Sequence, residues 1–288
     1  MADIKKAYSD NVSGDFFVDS TCINCDTCRQ LAPAVFADQG AHSYVFAQPI
    51  NTAEKRNATR ALLCCPTGSI GTIAANQAKT VMKDLPLLIE DNVYYSGFNS
   101  PKSYGGNSFF IQHAEGNWLV DSPKYLPHLV KRFRDLGGIR YIFLTHQDDV
   151  AEADRYATEF GAMRIIHRAD LNSQPKSELV IDGDDTIEFA AEFQIIPVPG
   201  HTRGHMVLLY KSKYLFTGDH LCYDRDEKDL YAFRTHCWYS FEEQTRSMAK
   251  LLDYNFEWVL AGHGDRIKLP ADQMQARLKA LIERMQKS

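Results

Sequence analysis

The chain has 288 residues, of which 44% are hydrophobic and 24% charged, and its 32 Lys and Arg against 37 Asp and Glu give a net charge of −5. At ~150 residues per domain this length predicts two domains, and the composition excludes the disordered, collagen-like and coiled-coil classes. Because the chain is mildly acidic and no apolar run reaches the ~18–20 residues of a membrane span, we expect neither nucleic acid nor a membrane as a partner. The sequence begins without the apolar core of a signal peptide, which favours a soluble, cytoplasmic protein.

The first quarter of the chain is rich in cysteine. Three cysteines follow the spacing Cys22-x2-Cys25-x2-Cys28, and Cys65 stands before Pro66 further along. This pattern favours a [4Fe–4S] cluster, since the tight loop offers three thiolates and the remote Cys-Pro offers the fourth. Structural zinc usually pairs its cysteines in two C-x2-C knuckles, and it is the first alternative. Free thiols are the second, because an odd cysteine count without a signal peptide argues against a disulfide framework.

The segment 14–75 resembles the single-cluster bacterial ferredoxins. The sequences TCINCDTCRQLAPAVF, SYVFAQP and CCPTGSI, with a helix predicted over 52–63, occur in the order of that family. The resemblance implies a ferredoxin-like domain over 1–80 that carries one cluster and transfers single electrons, with a purely structural cluster as the alternative. The ligands that it implies are Cys22, Cys25, Cys28 and Cys65. Cys64 is expected to be a small buried side chain, because neighbours in an extended segment point in opposite directions.

Beyond a predicted linker at 76–86, short apolar strands alternate with amphipathic helices. The helices are expected near 123–136, 148–160, 241–252 and 271–286. The predicted strands are FFIQH, WLVDS, YIFLTH, MRIIH, FQIIPVPG, MVLLYK, YLFTGD and FEWVLAGHG. This alternation predicts a layered domain of sheets and helices. Four of the strands run into His146, His201, Asp219 and His263, and rigid strand ends are where scaffolds present chemistry.

The four loops THQD, PGHTRG, FTGD and AGHG, in this order from about residue 86 onward, resemble the metallo-β-lactamase superfamily. The resemblance implies an αββα sandwich over 81–288 with a metal site along one edge of its paired sheets. For the whole chain we therefore expect an α+β fold, in which an N-terminal ferredoxin-like [4Fe–4S] domain precedes a metallo-β-lactamase sandwich.

The first of these loops departs from the superfamily, which has His-x-His-x-Asp-His there. Here Asp148 replaces the second His, and Val150-Ala151 replaces the Asp-His pair that helps to build the second metal position. We therefore expect that a standard two-zinc hydrolase site cannot assemble, and that only His263 is left of the second position's own ligands.

The ligands that survive are His146, His201 and Asp219. Two imidazoles and one carboxylate form the facial triad of mononuclear non-haem iron(II), and the persulfide dioxygenases of the superfamily resemble this arrangement. The cofactor expected beside the cluster is thus one mononuclear iron, with zinc as the alternative and a site that has lost its metal as another.

Three further residues lie close to these loops in the sequence. Asp148 is a candidate fourth ligand or acid/base group, with a solvated loop carboxylate or the N-cap of the following helix as the alternatives. His263 is a candidate weak ligand or a donor that orients Asp219 or a bound oxygen species. Cys222 is a candidate pocket residue or a small buried side chain.

These residues support three functional hypotheses. The first is a redox-active non-haem iron protein, an oxygenase or oxidoreductase in which the ferredoxin module exchanges electrons with the mononuclear metal. Its partners would be O2 or a small-molecule substrate and a redox partner protein. The second is a zinc-dependent hydrolase of thioester-like substrates whose cluster is structural or regulatory. The third is a non-catalytic electron-transfer protein or iron–sulfur sensor.

Overall fold

The computed structural model describes residues 2–75 and 77–287, and it divides into two compact units. The first unit comprises Met1–Gln112 and Pro123–Leu136, and the second comprises His113–Ser122 and Gly137–Ser288. The predicted division into 1–80 and 81–288 follows family resemblance rather than packing, and it stays a prediction.

Within the described residues, the first unit combines short strands with four α-helices. Its helices are α1 (Thr27–Leu31), α2 (Thr52–Cys64), α3 (Ala78–Val81) and α4 (Pro127–Asp135). Its strands are β1 (Phe16–Val18), β2 (Phe36–Asp38), β3 (Ser43–Val45), β4 (Ile70–Thr72), β5 (Leu87–Glu90), β6 (Val93–Tyr95) and β7 (Phe109–Ile111). Strands β1 and β4 pair antiparallel, as do β2 and β3, and β5, β6 and β7 form an antiparallel meander.

Helix α2 confirms the helix predicted over 52–63. It begins where the Asn51 side chain accepts a hydrogen bond from the Glu54 N–H at 2.9 Å, while the Glu54 carboxylate accepts one from the Ile50 N–H at 3.0 Å. Such reciprocal capping satisfies N–H groups that the first turn leaves unpaired. The helix packs against α1 and ends at Cys64, so that Cys65 enters the following loop.

The predicted linker at 76–86 is wrong over most of its length. Residues 78–84 form α3 and a 3₁₀ turn, and Val81 is fully buried, so burial of that side chain stabilises a helix here. The helical stretch stops two residues before Pro86, because a proline disfavours helical backbone in the residue before it. Asn76, the first residue of the predicted linker, lies outside the described residues.

Within the described residues, the second unit combines strands of two larger sheets, a two-stranded sheet of β16 and β17, and three α-helices. Its helices are α5 (Ala153–Phe160), α6 (Phe241–Lys250) and α7 (Ala271–Met285). Its strands are β8 (Trp118–Val120), β9 (Tyr141–Phe143), β10 (Met163–His167), β11 (Leu179–Ile181), β12 (Ile187–Ala190), β13 (Phe193–Pro197), β14 (Met206–Tyr210), β15 (Tyr214–Gly218), β16 (Cys222–Asp224), β17 (Asp229–Tyr231), β18 (Trp258–Ala261) and β19 (Ile267–Lys268). All eight predicted strands are confirmed, and so are the four predicted helices, with trimmed ends.

The two larger sheets of this unit differ in strand direction. Strands β8, β9, β10 and β11 pair in parallel, whereas β12, β13, β14, β15, β18 and β19 form a sheet that is antiparallel except between β15 and β18. Helix α7 buries Met274, Leu278 and Leu281 on one stripe, and these side chains join a core that includes Val207 and Val259 of the second sheet. This packing makes the ends of the strands rigid, and rigid strand ends hold functional side chains in fixed positions.

Helix α5 starts later than the predicted 148–160. The residue before it is Glu152, which makes no side-chain capping bond, so the N-cap alternative for Asp148 is wrong. Ala151 has a φ of 34°, a left-handed conformation in which the loop turns before the helix begins. Among the described residues, no helix has the length and apolar character needed to cross a membrane.

Candidate metal centres

The first centre is a cavity in the first unit that brings together the four cysteines of the sequence motif. Its lining includes Cys22, Cys25, Cys28 and Cys65. The loop between the first three turns sharply, because Asn24 (φ 57°) and Asp26 (φ 68°) both adopt the left-handed conformation. Asn and Asp tolerate that conformation better than other residues with a side chain.

Burial disfavours charge on these thiols when no cation is near them. It raises the pKa of Cys25 to about 11, a rise to which Cys65 and Cys22 add and which hydrogen bonds from Thr27 reduce. Burial raises the pKa of Cys28 further still. Four thiolates within one small cavity are stable only if cations share it, so this donor set fits the iron atoms of a [4Fe–4S] cluster. Cys64 lies outside this lining and is fully buried, as expected.

Groups on either side of the cysteine loop complete the surroundings of the cavity. The N–H of Asn24 donates to Cys22 Sγ at 3.4 Å, and the N–H of Ser69 donates to Cys65 Sγ at 3.3 Å. The ammonium of Lys124 donates to the Cys65 carbonyl at 3.1 Å. At Gly105 (φ 89°) a Cβ would lie 2.9 Å from Cys25 Sγ, so a side chain there would crowd the ligand.

The second centre lies in the second unit, where strand ends bring imidazoles and carboxylates together. His146 Nε2 lies 3.8 Å from Asp148 Oδ2 and 3.7 Å from Asp219 Oδ2. His201 Nε2 lies 3.6 Å from each of the same two oxygens. Donor atoms that each lie ~2.0–2.2 Å from one metal are separated by distances of this order. We call these four residues the first donor set.

Asp149 forms a second group with Asp219 and His263. His263 Nε2 lies 3.9 Å from Asp219 Oδ2 and 4.0 Å from Asp149 Oδ1, and Asp149 is buried with 2% of its surface exposed. We call these three residues the second donor set; it shares Asp219 with the first. The sequence interpretation missed Asp149 because it followed the superfamily spacing to Val150. The sequence did offer one signal, because Asp149 directly follows the candidate ligand Asp148.

Four buried atoms of the two donor sets lack a hydrogen-bond partner within the described residues. No hydrogen bond reaches His146 Nε2, His201 Nε2, Asp149 Oδ2 or Asp219 Oδ1, although all four atoms are buried. Buried polar atoms without a partner are rare, and atoms that converge on one space suit a cation. A Cβ at Gly262 would lie 2.7 Å from Asp219 Oδ1 and 2.9 Å from Asp149 Oδ2, so the gap between the carboxylates depends on this glycine. The residues therefore fit one or two divalent metal ions.

A chain of hydrogen bonds sets the orientation of His146. The Thr145 hydroxyl donates to Asp121 at 3.0 Å and lies 2.9 Å from His146 Nδ1. Because that hydroxyl hydrogen points to Asp121, Nδ1–H of the imidazole donates to Thr145, which leaves the Nε2 lone pair facing the donor set. Burial lowers the pKa of His146 to about 4, so the imidazole is neutral as a metal ligand must be.

A buried carboxylate joins the loops that carry the two histidines of the first donor set. Asp170 accepts hydrogen bonds from the Gln147 N–H at 3.1 Å, the Thr202 hydroxyl at 2.6 Å and the Gly204 N–H at 3.0 Å. The sequence interpretation named neither Asp170 nor Asp121. Their partners are backbone groups and hydroxyls of loops distant in the chain, and no spacing in the sequence indicates such contacts.

Asp219 is held by His205 and faces several imidazoles. Its N–H donates to His205 Nε2 at 3.2 Å. Burial opposes ionisation of Asp219, but the facing imidazoles of His263, His146, His201 and His236 hold its pKa below the ordinary value. The carboxylate is thus available to both donor sets in its charged form.

Cys222 is a buried residue of β16 that lies against Gly264, the residue after His263. The residue is buried with 2% of its surface exposed, and its thiol donates to the Tyr231 carbonyl at 3.5 Å. A Cβ at Gly264 would lie 2.8 Å from Cys222 Sγ. These contacts favour the small buried side chain over the pocket residue.

Two sequence comparisons bear on the two units. Residues 18–72 match the family model described as the 4Fe-4S single cluster domain of Ferredoxin I. Over 127 residues the chain is 29% identical to the hydroxyacylglutathione hydrolase of Salmonella arizonae and 34% identical to that of Citrobacter koseri. In both cases the match covers 43% of this chain and 50% of the relative, so the chain spans about half the length of these curated relatives.

Solved structures show the fold. The DIM-1 metallo-β-lactamase matches with a TM-score of 0.52 at 17% identity, over 68% of this chain and 95% of that one. A metallo-β-lactamase from Pontibacter korlensis matches with a TM-score of 0.52 at 16% identity, over 70% and 98%. The α+β fold with an N-terminal ferredoxin-type [4Fe–4S] domain and a metallo-β-lactamase fold is therefore confirmed, as are the two resemblances that predicted it.

Proposed function

We propose that this protein is a metal-dependent hydrolase that cleaves a thioester or a related acyl bond and carries a [4Fe–4S] cluster in its N-terminal domain. The observation that carries the proposal is the second donor set, in which Asp149 and His263 face the Asp219 carboxylate at the side of the first donor set. A pair of adjacent donor sets suits a two-metal hydrolytic site better than a mononuclear iron site. The similarity to hydroxyacylglutathione hydrolases over half their length supports the same class.

The exposure of the donors indicates where substrate approaches. The Asp148 side chain is 45% exposed, whereas those of His146 and His201 are 0% and 3% exposed. Substrate and water therefore reach the centre from the Asp148 side. A divalent cation held by these residues would polarise the substrate carbonyl and lower the pKa of a bound water toward ~7.

The residues of the chain then supply positioning and proton transfer. Asp148 stands at the open side, where the carboxylate oxygen that does not bind the cation can accept the proton of the attacking water and pass it to the leaving sulfur. A C–O bond forms from water to the acyl carbon and the C–S bond breaks, so a thioester and water give a carboxylic acid and a thiol. The reaction needs no oxidant or reductant, so in this proposal the cluster has a structural or regulatory role.

A redox enzyme is the second candidate, and the match of residues 18–72 to a ferredoxin domain favours it. His146, His201 and Asp219 are also the residue types of the two-histidine, one-carboxylate iron site. In this case the cluster would exchange single electrons with a mononuclear iron, and a redox partner protein would supply electrons to the cluster. The substrate would be O2 or a small molecule.

Metal content separates the two candidates. The protein is purified without oxygen and without added metal, and iron and zinc are counted per chain. About four iron atoms with one or two zinc ions support the hydrolase, and about five iron atoms without zinc support the redox enzyme. Four iron atoms with no second metal would overturn both. The zinc-loaded protein should also hydrolyse thioesters at the same rate with its cluster oxidised or reduced.

A further inference from the structure

An exposed row of aromatic side chains lies next to the first donor set. Trp238 is 63% exposed, Tyr239 52% and Tyr231 37%, and they belong to one segment that runs from the last residue of β17 to the start of α6. Large aromatic side chains clustered at a surface mark a binding site more often than a structural need. We call this group, with Phe233 and His236, the aromatic ridge.

The rings of the ridge contact one another in sequence and lead to a metal-ligand candidate. The ring centroids of Tyr231 and Phe233 are 5.1 Å apart, those of Phe233 and His236 are 5.9 Å apart, and those of His236 and Trp238 are 6.1 Å apart. The Trp238 ring lies 6.3 Å from the His201 ring. These contacts are edge-to-face, so they leave aromatic faces available for another flat group.

Backbone hydrogen bonds fix the ridge against the loop that carries His201. The N–H groups of Trp238 and Tyr239 donate to the His201 carbonyl at 2.9 and 3.1 Å, and that of Ser240 donates to the Gly200 carbonyl at 3.0 Å. The Cys237 thiol donates to the same Gly200 carbonyl at 3.1 Å. These bonds attach the Trp238 end of the ridge to the loop that carries His201.

We propose that the aromatic ridge is the substrate-binding surface of the candidate hydrolase and accepts a flat aromatic group of the substrate. This inference rests on the proposed function. A carbonyl held at the first donor set would have its substituents within reach of Trp238, the ridge residue whose ring contacts His201. Stacking on exposed rings favours an aryl group over a small alkyl group, and it does not select for charge.

The test compares three thioesters: a phenylacetyl ester of a small thiol, an acetyl ester of benzyl thiol, and an acetyl ester of the small thiol. In the native protein we expect kcat/KM to be higher for at least one aryl substrate than for the third. Trp238→Ala should reduce this preference by about tenfold, and Trp238→Phe should restore most of it. The aryl substrate that is affected shows whether the ridge holds the acyl side or the thiol side.

Met163→Ala is the matched control. Met163 is an exposed apolar side chain of the same unit, and it lies at the start of β10, whereas His146 follows the end of the parallel strand β9. This variant should keep the native preference. A preference that is absent in the native protein, or unchanged in Trp238→Ala, would overturn the inference.

Binding without turnover distinguishes a failure of the ridge from a failure of the hydrolase. The probes are phenylacetate and acetate, and their binding to zinc-loaded protein is followed by ligand-observed NMR. We expect the native protein to bind phenylacetate more tightly than acetate. In Trp238→Ala the ratio of the two affinities should fall by about tenfold. If no thioester is cleaved by any variant, the hydrolase proposal fails, while the two carboxylates still decide whether the ridge binds an aryl group.

Discussion

The two metal centres differ in how their donors are spread along the chain. Three cysteines of the cavity lie within 22–28, and the fourth is Cys65. The two donor sets instead draw on strand ends from His146 to His263. A short motif shapes its own site, because left-handed positions such as Asn24 and Asp26 are neighbours of the ligands. A site built from distant strand ends exists only once the sheets have formed, so its details depend on the whole unit.

The donor chemistry differs as well. Thiolates select iron–sulfur clusters, whereas imidazoles and carboxylates suit zinc or iron(II). The two centres should therefore gain and lose their metals independently, and this independence can be tested.

The largest expected effect comes from His201→Ala, compared with Cys28→Ser. Loss of His201 removes a donor of the first set, so we expect zinc to be lost and thioester hydrolysis to fall by more than the ~10–100-fold typical of residues outside the metal's own ligands. The visible absorbance of the cluster should remain. Cys28→Ser should lose the cluster absorbance and keep its zinc.

The measurements for this pair are metal content, absorbance and hydrolysis rate, with circular dichroism to establish that each variant is folded. If either variant lost both metals while remaining folded, the two centres would not be independent and the comparison would be wrong.

Asp149→Ala tests the second donor set alone. We expect a loss of about one zinc ion per chain and a fall in hydrolysis of roughly 10–100-fold, because Asp149 is buried and lies 4.0 Å from His263 in the second donor set. The matched control is Asp154→Ala, which removes an exposed acid from the first turn of α5. Unchanged zinc content in Asp149→Ala would show that this residue is not a ligand, and it would restore the mononuclear interpretation.

The sequence predicted those parts of the molecule that depend on local pattern. Helix α2 was expected over 52–63 and occupies Thr52–Cys64, because its cap and its buried stripe lie within the helix itself. The strand ends at His146, His201, Asp219 and His263 were expected because apolar runs stop there. The four cysteines of the cavity were expected from their spacing together with the resemblance to ferredoxins, and the structure places them together.

The contributions of Asp149, Asp121 and Asp170 could not be predicted in this way. Asp149 lies in the irregular loop before α5, in which Ala151 has a φ of 34°, and the sequence pattern does not indicate which way a side chain in such a loop points. Asp121 acts through Thr145, whose chain separation from it is 24 residues. An aspartate that accepts hydrogen bonds from distant loops cannot be told apart in the sequence from a solvated aspartate. Only the folded structure distinguishes the two.

Thr145→Val measures how much positioning matters at the donor sets. Valine has the shape of threonine but removes the hydroxyl that connects Asp121 to His146 Nδ1. We expect zinc affinity to fall about 10–100-fold, since residues that orient a ligating imidazole have effects of this size. Thr145→Ser should recover most of the affinity. A competition titration with a chelator gives both values, and equal affinities for the native and valine proteins would exclude this orienting role.

The smallest expected effect concerns the cluster, and it asks whether residues beyond the ferredoxin match at 18–72 influence that centre. Lys124 donates to the Cys65 carbonyl at 3.1 Å, and burial lowers its pKa while the nearby Cys65, Cys64 and Cys25 thiols partly oppose this. Reduction adds a negative charge to a cluster, and a neighbouring ammonium stabilises that charge. Lys124→Met should therefore lower the midpoint potential, and a tenfold fall in the ratio of reduced to oxidised cluster corresponds to about 59 mV.

The control for this variant is Lys131→Met on helix α4, which removes the same charge from a side chain that is 70% exposed. Water and salt screen a charge at that position, so its removal should leave the potential nearly unchanged. Both potentials are read from redox titrations of the cluster's electron paramagnetic resonance signal. Equal shifts in the two variants would mean that only net charge matters. In that case Lys124 would have no specific effect on the cluster. The cluster site would then depend only on its short ligand motif, in contrast to the donor sets built from distant strand ends.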